Sequence, residues 1–209
     1  MSSDIYLIQD CAQLAELTPK ALLQKLIAEY PNLLAVADEH IDGAINRNWL
    51  LVSQEETIAN AEANGGYWAL DHLFLDENGI PTLIKVKRGH DTPIRREIVS
   101  QMLDYAANAV NYWSLQKIRA QFEAKPNAQQ LLIELLGEKD ANPDRFWQQV
   151  TKNLQAVKIR LVFVATQIPA ELQRIVEFLN QQMKPAQFFA VEIQQLCGSD
   201  NFRLGNSPI

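Results

Sequence analysis

The stretch YWALDHLFLDENGIPTLIKVKR, residues 67–88, decides the fold. Two strand-like apolar runs flank Asp76, Glu77, Asn78 and Gly79, a dense cluster of turn formers, and that pattern is the signature of a β-hairpin. A five-residue connection from Asp76 to Ile80 sets Leu75 opposite Pro81, Leu73 opposite Leu83 and Asp71 opposite Lys85. Side chains alternate along a strand, so Lys87 joins Lys85 and Asp71 on one face, at the end away from the turn. A carboxylate beside two ammonium groups on neighbouring strands is a candidate polar site.

Upstream, residues 18–30 carry Leu22, Leu23, Leu26 and Ile27 at helical spacing, with Thr18 as cap, Pro19 in the first turn and Pro31 as stop. Short apolar runs at 33–37 and 49–53 read as strands, with a turn at Asp42 and Gly43. Downstream, residues 93–113 read as a helix, since Ile94, Ile98, Met102, Tyr105, Ala106 and Ala109 recur at three and four positions. A Leu-rich helix at 129–136 and another at 143–154, with Trp147 on its apolar side, follow. Residues 157–165, 169–183 and 188–193 read as strand, helix and strand, a βαβ unit. The expected architecture is one α/β domain over residues 1–209, a central mixed sheet flanked by helices, with its core at about 18–193 and a loose polar tail at 198–209.

Composition narrows the function classes. Twenty-five acidic residues against 19 basic give a net charge of -6, which excludes a polybasic nucleic-acid coat and confines any such contact to a local patch. Lys85, Lys87, Arg88, Arg95 and Arg96, five bases within twelve positions, suggest such a patch, a phosphate-facing rim; the alternative is a solvated turn and helix start answered by Asp91 and Glu97. Cys11 and Cys197 have neither metal-ligand spacing nor the density of a disulfide scaffold, so a cytoplasmic setting is expected. No apolar run approaches the roughly 20 residues that a bilayer requires. Trp68, Trp113 and Trp147 read as core or core-edge residues, and Gly65 and Gly66 lack the Lys and Ser/Thr of a phosphate-binding loop.

Leu70 and Asp71, the hairpin, Ile84 to Lys87, and then a helix bearing Gln101 and Tyr105 together resemble the restriction-endonuclease-like PD-(D/E)XK superfamily, in its RecB-type branch. That superfamily places an Asp on one strand, an acidic residue and a Lys two apart on the next, and Gln-x-x-x-Tyr on the following helix. The wider frame is also similar, with an entry helix carrying Glu29 before the hairpin and a later strand at 157–165. The resemblance implies a nuclease chemistry in which carboxylates hold Mg2+ or Mn2+ and the Lys positions water at a phosphodiester. It matches Asp71 to the first metal ligand, Lys87 to the catalytic Lys, and Gln101 and Tyr105 to the supporting pair.

The departure is Lys85, a base where the superfamily has its second acid. Two compensations are open. The Lys85 ammonium takes the ion's place beside Asp71, leaving an inactive or impaired relic that still holds DNA. Otherwise a carboxylate arrives from elsewhere: Glu97, one turn before Gln101 and two before Tyr105, would join Asp71 as a metal ligand in an active magnesium-dependent nuclease, with Glu29 and Glu62 as further candidates. A non-catalytic protein-interaction module, a homodimer or a member of a complex, is the third reading.

Overall fold

The computed structural model describes residues 4–8, 19–38, 48–59, 67–87, 99–101, 103, 104, 106, 107, 114–137, 141–198 and 201–208. Helix α1 (Pro19–Glu29) forms as its spacing requires, burying Leu22, Leu23, Leu26 and Ile27, and its last turn closes through Tyr30 N–H to the Leu26 carbonyl. The expected strand at 33–37 is a 3-10 helix, Pro31–Asp38. A five-residue apolar run does not carry a period of its own. Here Pro31 presets a turn, Leu33 N–H closes back on the Tyr30 carbonyl, and Leu33 and Leu34 bury beside α1.

Seven strands form one sheet: β1 (Asp4–Ile8), β2 (Trp49–Ala59), β3 (Tyr67–Asp76), β4 (Pro81–Lys87), β5 (Arg160–Ala165), β6 (Gln187–Gly198) and β7 (Asn201–Pro208). Their order is β1-β7-β6-β5-β4-β3-β2, parallel from β4 through β5 to β6 and antiparallel elsewhere. The tail expected to be loose is therefore the paired strand β7, and β1, unassigned in the sequence, pairs with it. Main-chain pairing, blind to the polarity that suggested a free tail, supplies this order.

The hairpin register is the expected one, with Leu75 opposite Pro81 and Leu73 opposite Leu83. Gly79 turns the chain at φ 66°, a left-handed conformation that costs glycine nothing. Asp76, fully buried, accepts Asn78 N–H and Ile80 N–H on Oδ1 and the Arg160 guanidinium, 2.7 Å away, on Oδ2. Asn153 donates to the Asn78 and Gly79 carbonyls, tying the turn to a helix behind it.

Alternation sends Leu73, Leu75 and Leu83 to one face and Phe74, Ile84 and Val86 to the other. The first face is covered by α2 (Leu115–Glu123), α3 (Ala128–Leu136), α4 (Pro143–Gln155) and α5 (Ala170–Gln182), the second by α1 and the 3-10 helix. Cover on both faces is why β5 is buried at every position. Helix α2 was not apparent in the sequence, although Ser114 caps it and Ile118 and Phe122 bury one turn apart. Strand β5 begins at Arg160 rather than 157, because Val157 takes φ 54° in the turn that leaves α4. At the sheet's edge the β2–β3 register shifts between Leu51 and Ser53, a bulge, and Lys125 donates its ammonium to the Leu51 carbonyl. No helix among the described residues is long and apolar enough to cross a membrane.

Candidate functional site

The β3–β4 ladder ends at His72 opposite Ile84. One residue further on, the Asp71 carboxylate occupies the place of the missing rung: its Oδ2 accepts the Val86 N–H at 2.9 Å. The same oxygen lies 3.3 Å from Lys85 Nζ. From the other side α1 delivers Lys20 and Gln24, one helical turn apart, and Oδ1 receives Lys20 Nζ at 2.9 Å and Gln24 Nε2 at 2.6 Å. An ionised carboxylate offers about four lone-pair positions. All four have donors here, two of them ammonium groups.

The expected meeting of Asp71 and Lys85 thus occurs, through side chains rather than as a ladder pair. Asp71 is 2% and Lys85 8% exposed, so the pair sits in a poorly solvated pocket. Burial pushes the Lys85 ammonium below its ordinary pKa; Asp71 opposes that, while Lys20 and Lys87 add repulsion. Lys87 therefore registers electrostatically at the site, two residues along β4 on the same side as Lys85.

Other sequence candidates are placed less fully. Glu97, Arg88, Arg95, Arg96, Tyr105 and Glu62 lie outside the described residues. Gln101 is half-buried among helical residues within 99–107. Glu29 is exposed, 3.9 Å from Lys25, and lines a cavity of about 500 Å3 with Gln24, Gln54 and His72. His72, given no role from sequence, is 2% exposed, lies against the Phe74 ring, and has no hydrogen-bond partner at Nδ1 among the described residues. Burial lowers its pKa to about 4, against the raising influence of Asp71.

The residues missed by sequence reasoning are Lys20 and Gln24. Their i, i+4 spacing on α1 was visible, but only the docking of α1 against β3 aims them at Asp71. Among the described residues no three His, Cys, Asp or Glu side chains gather as a metal would require. The donor set around Asp71 does not fit Mg2+ or Mn2+ either, because hard cations need free carboxylate oxygens and these are taken by cations of the protein's own. Comparison with family models, curated proteins and solved structures found no match.

Proposed function

We propose that this chain is a restriction-endonuclease-like protein, related to DNA-cleaving enzymes, that holds nucleic acid and does not hydrolyse it. The observation that carries the reading is the saturation of Asp71: Lys20 and Lys85 stand where a divalent ion would need oxygen ligands. The order of elements supports it too. An entry helix, a hairpin bearing Asp71 and Lys87, helical residues around Gln101, and a strand parallel to β4 follow one another as the resemblance implies.

Lys20 and Lys85 pair with Asp71, and Lys87 adds its charge to the surroundings of Lys85, so basic side chains gather at this end of the hairpin in a chain of net charge -6. Gathered basic side chains attract phosphates, and the sequence that follows β4 is itself basic, with Arg88, Arg95 and Arg96. With roughly four phosphate contacts, log affinity for duplex DNA should fall against log salt with a slope near -3.6.

The test is a manganese titration by calorimetry. The parent should take up no manganese, whereas Lys20→Ala with Lys85→Glu removes both competing cations, supplies a second carboxylate, and should bind the ion with a rise in melting temperature. Manganese binding by the parent, abolished by Glu97→Ala, would overturn the reading in favour of an active nuclease with a relocated ligand. Absence of DNA binding even in low salt would instead turn it toward a protein-interaction module.

A further inference from the structure

At the turn end of the hairpin, remote from Asp71, a cavity of about 740 Å3 opens between the turn, the start of α4 and the first residues of β5 and β6. Ile80, Leu136 and Phe146 give it apolar surface, and Arg145, Lys158 and Arg160 give it charge. Its size lies within the range of small-molecule sites, roughly 300 to 1,000 Å3.

Arg160 is the residue that points to a ligand. Its side chain is 4% exposed, with Nη1 on Asp76 at 2.7 Å and Nε on Gln187 at 3.2 Å. Nη2 makes no hydrogen bond among the described residues, and Arg160 lines the cavity, which leaves that edge of the guanidinium open to an acceptor within it. Arg145 and Lys158, both exposed, form no ion pair among the described residues. Among the described residues that line it or pair with its lining, three cations face the carboxylates of Asp76 and Glu77, in a chain whose net charge is -6. An arginine fork with an open edge, backed by two exposed cations, suits the tetrahedral oxygens of a phosphate.

We propose that this cavity binds a phosphate monoester of mononucleotide size, the phosphate held by Arg160, Arg145 and Lys158 and the organic moiety resting on Ile80, Leu136 and Phe146. The site is independent of the Asp71 cluster and stands or falls separately from it. The ester belongs either to a free nucleotide or to the 5′-phosphorylated end of a strand, and both are recognised by the same chemistry.

Equilibrium dialysis with AMP, adenosine, inorganic phosphate and a 5′-phosphorylated oligonucleotide tests it. AMP should bind with a dissociation constant of about 1 mM or tighter, and Arg145→Glu with Lys158→Glu should weaken it by about tenfold or more. Adenosine, lacking the anion, should bind at least about tenfold less well than AMP, and inorganic phosphate should displace AMP from the parent. Tighter binding of the 5′-phosphorylated oligonucleotide than of AMP assigns the site to strand ends, the reverse order to free nucleotides. Failure of AMP and the oligonucleotide alike to bind the parent, adenosine binding as well as AMP, or full affinity in the folded double variant overturns the proposal.

Discussion

Replacing Asp71 with Asn keeps the shape of the side chain and deletes the charge that Lys20 and Lys85 face. At an effective dielectric near 20, Coulomb attraction is about 5 kcal/mol for Lys85 at 3.3 Å and about 6 kcal/mol for Lys20 at 2.9 Å. The Lys20 side chain is 38% exposed, so water reduces its share to about 1 kcal/mol or less. For the buried Lys85 partner, the desolvation already incurred decides the outcome: removing one member of a buried pair costs about 3–5 kcal/mol. We therefore expect Asp71→Asn to lower stability by about 3 kcal/mol at neutral pH, in urea unfolding with an unchanged m-value. Without the carboxylate, burial depresses the Lys85 pKa still further below its unfolded value. The unfolded state then binds more protons, so the variant's stability should rise with pH toward the alkaline side more steeply than the parent's. Adding Lys85→Met to Asp71→Asn should recover at least half of the loss, because the neutral Asn–Met pair leaves no unpaired charge buried. A loss below about 1 kcal/mol for Asp71→Asn, or additive costs in the double variant, would refute the account of a coupled buried pair.

His72 has its folded pKa lowered to about 4 from an ordinary 6.5, so its contribution is complete above pH 6.5 and is lost as pH falls toward 4. The loss should reach about 3 kcal/mol in acid unfolding curves, and His72→Gln should flatten that slope. Asp76→Ala leaves the Arg160 guanidinium buried without its carboxylate and two turn amides without an acceptor, which should cost about 3–5 kcal/mol in chemical denaturation. Gly79→Ala should cost about 1–2 kcal/mol or more, because φ is 66° and the new Cβ would stand 3.1 Å from both Val150 Cγ2 and Val150 N. Gly137→Ala, at φ 76° with open space around it, should cost only the conformational share, about 1 kcal/mol, and equal costs at the two sites would dismiss the crowding argument.

The hairpin was legible because local chemistry specifies it: turn formers at Asp76 to Gly79 and alternation on either side leave one register. The meeting of Asp71 with Lys85 followed from that register. What brought Lys20 and Gln24 to the same carboxylate is the packing of α1 from 47 to 51 positions away in sequence, which no local pattern encodes. The run at 33–37 was misread for a related reason. Five apolar residues are compatible with strand or helix, and the arbitrating contact is the burial of Leu33 and Leu34 beside Leu26 and Ile27. Strand β7 was misread because its order comes from neighbours on both sides, β6 and β1, whose positions depend on the finished sheet.

The bulge in β2 has a consequence for the molecule's life in a crowded solution. Strand β2 is an outer edge of the sheet, eleven residues long, and such an edge is a template on which another chain could add a strand. A docking strand needs donors and acceptors at regular spacing. The slip between Leu51 and Ser53 breaks that spacing, and Lys125 occupies the Leu51 carbonyl with a half-buried ammonium, so an arriving chain would have to displace a charge to continue the ladder. One inserted residue and one lysine thus hinder the addition of a further strand at the β2 edge of the sheet.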